Sequence, residues 1–153
     1  MSATCPHFAK NVFFSCMDDR LVKPHRLFVD EIGGAFCPSL AGGGLALTAP
    51  EQRSIALQQI VAAYKINHID HVYIESHSNC GAYRLAGVVF NSHEEEIQRL
   101  YSDLNIARTE VRTALARAGA VDGEITIVTR VVDPEGQHIP NQSVSQPAQP
   151  VLL

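Results

Sequence analysis

The chain carries no excess of positive charge: 12 Lys and Arg stand against 16 Asp and Glu, a net charge of -4 at neutral pH. A phosphate backbone is met by a basic stripe, so nucleic acid is excluded as a partner. The lack of a polybasic cluster likewise excludes attraction to an anionic membrane surface. Long apolar runs are also missing: His, Asn, Asp or Gly interrupts each candidate before it reaches the roughly 20 residues of a membrane span. The opening residues, Met1-Ser-Ala-Thr-Cys5-Pro6-His7, show no charged segment leading into an apolar one, so no signal peptide is expected and the cytoplasm is the expected compartment. Cysteine is scarce, at 4 in 153 residues. In such a chain four cysteines read as metal ligands or free thiols rather than as a disulfide framework. There is no internal repeat and no domain linker. With 46% hydrophobic residues, 153 residues fit one domain with its own core.

Against these absences, two short motifs stand out. Cys16-Met-Asp18-Asp-Arg20 is answered later by His77-Ser-Asn-Cys80-Gly81. Residues 11–17 (NVFFSCM) are apolar and β-prone and read as a buried strand that delivers Cys16 at its C-terminal end. Residues 68–76 (HIDHVYIES) read as a second strand, ending just before His77. Between them lies the Gly-rich loop Ala41-Gly42-Gly43-Gly44. A helix then starts with Thr48 as N-cap, Pro50 in the first turn and Glu51 three residues after the cap. It is expected to run over 49–64, burying Ile55, Ile60 and Val61. Residues 81–90 read as a short helix. Ser92-His93-Glu94-Glu95 is a capping box opening a long helix, whose stripe is Ile97, Leu100, Tyr101, Leu104, Ala107, Val111 and Leu115 and whose stop is Gly119. Residues 124–132 (EITIVTRVV) alternate as a strand. The order β–α–β–α–α–β gives an α/β single domain with a mostly parallel central sheet flanked by helices. Residues 1–140 form the zinc-binding domain in this reading. Residues 141–153, rich in Pro, Gln and Ser, are expected to form an extended or disordered tail.

Two thiolates and one imidazole, Cys16, Cys80 and His77, suit one zinc ion. Three protein ligands leave the fourth tetrahedral corner open, as in a catalytic zinc site; a structural site is closed by a fourth protein ligand. Zinc lowers the pKa of water in that corner toward about 7. Two thiolates also donate charge to the metal, so the water needs help from neighbouring residues. Asp18, two residues after Cys16, lies on the same side if the strand persists and is placed to accept its hydrogen bond. Arg20 can hold Asp18 bidentately and keep it ionised. Without Arg20, Asp18 would be free to swing onto the zinc and close the site.

At Cys16, Asp18, Arg20, His77, Cys80 and Gly81 the chain resembles the β-class carbonic anhydrases, which carry Cys-x-Asp-x-Arg on the first core strand and His-x-x-Cys-Gly after a later one. Gly34-Ala35-Phe36 matches the Gly-x-Phe at which a family strand begins. Ala41-Gly42 matches the end of an Arg-Asn-Ala-Gly segment, and Val132-Asp133-Pro-Glu-Gly136 the closing strand and turn. The resemblance covers roughly residues 10–140. It departs at Ser39-Leu40, which stand for Arg-Asn, at His7 in place of a substrate-side Gln, at Ser76 in place of Gly, and in the absence of the long N-terminal helices. The resemblance implies a zinc lyase (carbonate dehydratase) that hydrates carbon dioxide reversibly to bicarbonate by zinc-bound hydroxide. It also implies at least a homodimer, and a proton leaving in each cycle, for which His7, His25 and His93 are candidate carriers.

Two other functions fit the same ligands: hydrolysis of carbonyl sulfide or carbon disulfide, and a zinc-binding interaction module without turnover. Cys37 as a fourth ligand would give a closed, structural site. Gly42-Gly43-Gly44 lacks the spacing of a phosphate cradle and reads as a tight turn. Glu94-Glu95-Glu96 suits a helix first turn and needs no further role. His68 and His71 read as packed or exposed.

Overall fold

A computed structural model describes residues 9–141. Cys5, His7 and the segment from residue 142 onward lie outside the described residues. Asn11-Val-Phe-Phe pairs as the strand β1 (Asn11–Phe14), shorter than the sequence predicts, and Cys16 lies just past its end. A 3-10 turn (Asp19–Leu21) leads into α1 (Val22–Glu31). The Gly-rich loop enters a second 3-10 turn (Gly43–Leu47), followed by α2 (Pro50–Asn67) and β2 (His71–His77). Then come α3 (Gly81–Leu85), α4 (His93–Arg117) and β3 (Thr126–Val132).

The three strands form one sheet in the order β1-β2-β3, parallel throughout. Phe14 lies opposite Ile74, and His77 opposite Val132. Phe36 and Ser39 add single parallel bridges to Val12 and Ser15 on the outer side of β1. The expected Gly34-Ala35-Phe36 strand start is thus present as bridges rather than as a full strand. Successive strand residues face opposite sides of the sheet. On one side Phe13 and Tyr73 meet Phe28 of α1 edge-on, at 5.0 and 5.4 Å between ring centroids. On the other side the second 3-10 turn and α4 pack, with α2 against both. The core follows: Val12, Phe14, Val72, Ile74, Ile60, Leu100, Leu104 and Val111 are buried. Each such side chain contributes on the order of 1.5–3 kcal/mol by leaving water.

α4 shows the pattern read from the sequence. Ser92 Oγ accepts from the Glu95 backbone N–H at 3.1 Å, a cap whose loss costs roughly 1 kcal/mol. Of the expected stripe, all but the half-buried Tyr101 are buried. Glu95 does not close the box on Ser92. Its carboxylate accepts from the Asn91 backbone and side-chain amide instead.

Four local expectations are corrected. Thr48 is not the α2 cap: its hydroxyl turns back to donate to the Leu45 carbonyl at 2.9 Å, and Ala49 holds the cap position. Ile55 is exposed and Val61 only half-buried, because α2 buries the face carrying Ala56, Ile60 and Ala63. α2 runs past Tyr64 to Asn67, and His68 ends it in the left-handed region at φ 49, so β2 begins only at His71. α3 stops at Leu85, with Gly87 at φ 75 just beyond, well short of Phe90.

Candidate metal centre

The parallel sheet places its C-terminal strand ends side by side, the usual location of sites in this architecture. Cys16 follows β1, His77 ends β2, and Cys80 caps the N-terminus of α3. Their ligand atoms lie within 4.8 Å of one another, and all three residues are buried. Cys16 Sγ and Cys80 Sγ are 3.9 Å apart. Two sulfurs each about 2.3 Å from a tetrahedral zinc would stand about 3.8 Å apart.

The imidazole is prepared in the same way. His77 Nδ1 lies 2.9 Å from the Ser78 carbonyl. A carbonyl only accepts, so Nδ1 carries the hydrogen and Nε2 keeps its lone pair. Nε2 is buried without a hydrogen-bond partner. A buried nitrogen in that condition calls for a partner, and a metal ion supplies one. The residues present therefore fit a zinc ion.

The two thiols are not equivalent. The Gly42 backbone N–H points at Cys16 Sγ from 3.3 Å. The hydrogen bond shared with Cys80 is the largest influence on Cys16. With help from His77 and Gly42 it outweighs burial and brings the Cys16 pKa down to about 4. Cys80 is pushed up, by the hydrogen bond it shares with Cys16 and by burial. Without metal, these influences favour the thiolate at Cys16 over Cys80. Burial works against a charged His77, but the adjacent Cys16 thiolate raises its pKa above the ordinary value.

Asp18 and Arg20 meet as the sequence predicts, though by another route. The strand does not persist to Asp18, which instead caps the 3-10 turn. Asp18 Oδ1 accepts from the Arg20 backbone N–H at 3.0 Å and from Nε at 2.9 Å. Oδ2 accepts from Nη2 at 2.6 Å. The guanidinium holds the Asp18 carboxyl well below the usual carboxylate range, and Asp18 in turn raises Arg20. Arg20 Nη2 also donates to the Asn79 carbonyl at 3.0 Å, tying the first motif to the second. Asp18 Oδ2 lies 3.7 Å from His77 Nε2, yet Asp18 is not part of the mutually close group. Both of its carboxylate oxygens are held by Arg20.

Cys37 does not join the group: it is exposed, and its thiol donates to the Ala35 carbonyl. Asp19 is exposed, and His71 stacks on Tyr73. His93 is exposed and pairs with Glu96 on α4. His25 lines a cavity of about 360 Å³ together with Cys16 and Asp18.

Sequence reasoning missed four contributors. Gly42 was read only as a turn residue, yet its N–H polarises Cys16. Gly43 lets the loop approach: a Cβ there would sit 2.2 Å from the Glu75 carbonyl oxygen. Glu96, dismissed with its acidic run, accepts from the Asn79 backbone N–H and anchors the ligand loop to α4. Glu75, buried two residues before His77, binds His25 and Arg130. A carboxylate directly after Ile74 within the strand was the signal for it.

A parallel α/β sheet with two thiolates and an imidazole converging at its C-terminal edge defines the class of protein. The chain belongs to the β-carbonic anhydrase family: residues 11–146 match the family model described as carbonic anhydrase. Its fold is similar to that of the β-carbonic anhydrase of the fungal pathogen Aspergillus fumigatus, with 13% identity, 92% of this chain and 78% of that one covered, and a TM-score of 0.58. A carbonic anhydrase from Glaciozyma antarctica shares 22% identity over 90% of this chain and 85% of that one, with a TM-score of 0.52. A carbon disulfide hydrolase shares 14% over 97% and 88%, with a TM-score of 0.50. At these identities the likeness is one of fold. No curated protein matches the chain by sequence.

Proposed function

We propose that this chain is a zinc-dependent carbonic anhydrase that interconverts carbon dioxide and bicarbonate. The observation that carries the reading is the joint geometry of Cys16, His77 and Cys80 around one point, with Asp18 locked to Arg20 beside it. Cys16, His77 and Cys80 would hold the ion. When bound, zinc supplies a Lewis acid and a water acidic enough to attack carbon near neutral pH.

The chain's own residues supply the rest. Asp18, ionised and fixed by Arg20, offers a carboxylate oxygen to a hydrogen-bond donor in the open corner and orients it. Arg20 keeps that carboxylate from becoming a fourth ligand. Carbon dioxide is small, linear and apolar. The cavity beside Cys16 and Asp18 is walled partly by Phe13, Val22 and Val29, which suits it. Exposed apolar side chains lie near the ligands in sequence: Met17 and Val22 follow Cys16, and Leu85 and Val89 follow Cys80. They support a homodimer whose second copy covers them. Cys16, Cys37 and Cys80 are free thiols, which supports a reducing, cytoplasmic compartment. Among the described residues no helix is long and apolar enough to cross a membrane.

The fold likeness to a carbon disulfide hydrolase favours sulfur analogues as the second reading. The Asp18–Arg20 pair argues against a metal site without turnover, because a structural zinc has no use for it. The test offers carbon dioxide and carbon disulfide separately to protein of measured zinc content. Turnover of carbon dioxide far above that of carbon disulfide is expected. Hydrogen sulfide release from carbon disulfide without carbon dioxide hydration would transfer the function to the second reading.

A further inference from the structure

α3 is five residues long, and a helix that short is not stable in water on its own. Its position is set from outside. Only Tyr83 of its residues is buried, at 1% exposure. The Tyr83 hydroxyl donates to Asp103 Oδ2 of α4 at 2.7 Å. Asp103 is itself buried, and Arg99 Nε donates to its two oxygens at 3.1 and 3.0 Å. The guanidinium supplies the opposite charge that a buried carboxylate requires. Burial, then the Asp103 charge, push the Tyr83 pKa far above its ordinary value, so the phenol keeps its hydrogen and is the donor. The Tyr83 ring packs against Phe90 at 5.6 Å between centroids, and the Tyr83 carbonyl accepts from the Val88 backbone N–H at 2.9 Å.

Cys80 is the N-cap residue of this helix, one turn before Tyr83. Upstream of Cys80 the chain is pinned. The Ser78 backbone N–H donates to the Val132 carbonyl at 2.9 Å, and Asn79 is held through its N–H by Glu96 and through its carbonyl by Arg20. Downstream, the tether is Tyr83. Glu96 and Asp103 lie two turns apart on α4, so one face of that helix carries both attachments. Cys80, Tyr83 and Glu96 line one cavity of about 390 Å³ together with Phe90. Cys80 is thus bracketed by two bonds to the same helix.

We propose that Tyr83 is the positioning residue for Cys80, with Asp103 and Arg99 holding it on α4; the inference rests on the reading of Cys16, His77 and Cys80 as zinc ligands. Ligands that converge on one ion must be held to within about 0.5 Å by the groups behind them. The three differ in what holds them. His77 sits on β2, in register with Val132 of β3. Cys16 lies just past β1 and receives the Gly42 N–H. Cys80 stands beyond the sheet, at the head of a helix that depends on Tyr83 for its place. Losing the hydroxyl leaves the ring buried but removes the bond that fixes the helix against α4. The Cys80 thiol then loses its alignment with the other two ligands.

The test compares wild type, Tyr83→Phe, Asp103→Asn and Tyr101→Phe in three measurements: zinc affinity by competition with a chelator, thiolate-to-metal absorption after cobalt substitution, and melting temperature. Tyr83→Phe keeps the ring and removes only the hydroxyl. Its zinc affinity is expected to fall about ten-fold or more, the range for a lost bond behind a metal ligand. Its cobalt absorption should weaken toward that of a single thiolate. Asp103→Asn keeps an oxygen that accepts from the Tyr83 hydroxyl, so its zinc affinity and cobalt spectrum should stay near those of wild type. Tyr101→Phe separates positioning from stability. Its hydroxyl is also lost from α4, but the bond it made was to the Ile139 carbonyl beyond β3. It should lower the melting temperature and leave zinc affinity and the cobalt spectrum unchanged. Unchanged zinc affinity and cobalt absorption in Tyr83→Phe, with a melting temperature lowered as in Tyr101→Phe, would overturn the proposal while leaving the zinc reading in place. A wild type that takes up neither zinc nor cobalt would remove that reading and this inference together.

Discussion

Asp18 is the residue at which the proposed turnover and zinc binding are expected to part company. It is bound to Arg20 through both oxygens and is not in the ligand group. Asp18→Asn should therefore keep zinc while lowering kcat/KM by about 10²–10⁴-fold, the range of a lost acid–base or orienting group. Metal analysis and stopped-flow on the same sample check both halves. Cys16 gives the pH prediction. Its pKa is lowered to about 4, so in metal-free protein its thiolate persists as pH falls from about 8.5, where an ordinary thiol protonates, and is lost only near 4. Thiolate absorbance at pH 6 should show about one thiolate per chain, absent in Cys16→Ser. A silent wild type at pH 6 would contradict the assignment. At this scale the convergence of Cys16, His77 and Cys80 and the Asp18–Arg20 pair were legible, because thiols, an imidazole and paired charges at such spacing leave few other uses. Gly42, Glu96 and Glu75 were not. A backbone N–H aimed at sulfur leaves no mark on composition, and the partners of a buried charge are known only once the strands are placed.

The elements that carry the site are short, and their geometry depends on close backbone approach. Gly43 sits at φ 54, and a Cβ there would meet the Glu75 carbonyl at 2.2 Å and the Cys16 backbone nitrogen at 3.1 Å. Both obstacles are backbone atoms. Gly43→Ala should destabilise the fold by on the order of 2–3 kcal/mol, the cost of a strained backbone position, and should weaken zinc binding with it. Thermal unfolding with metal analysis reads both; a wild-type melting temperature and full zinc would refute this. α4 and the three strands were readable because their periodicity is long or strict: Ile97 to Leu115 repeats over most of 25 residues. α1 escaped the sequence reading. It has no buried residue, its Leu27 and Val22 are exposed, and Pro24 sits in its first turn. Without an apolar stripe there is no period to find. The Thr48 cap failed for a local reason, since its hydroxyl found the Leu45 carbonyl first.

On the scale of the whole molecule, the parallel sheet followed from the order of strands and helices, whereas the strand sequence β1-β2-β3 and the bridges at Phe36 and Ser39 came only with the coordinates. The surface was not legible either, because exposure of Leu85 and Val89 depends on where α3 stops. Those side chains are 90% and 82% exposed, close to the buried Cys80. Leu85→Lys combined with Val89→Glu should convert the expected dimer to monomer in sedimentation, with zinc retained; a dimer unchanged by both charges would place the interface elsewhere. The central claim, an open zinc site that hydrates carbon dioxide, is tested most directly by stopped-flow hydration on protein of known zinc content, from about pH 6.5 to 9, which spans the titration expected of zinc-bound water. Turnover that rises with pH, at about one zinc per chain, and that is abolished in Cys16→Ser is the predicted result. Full zinc occupancy with no hydration at any pH would contradict it.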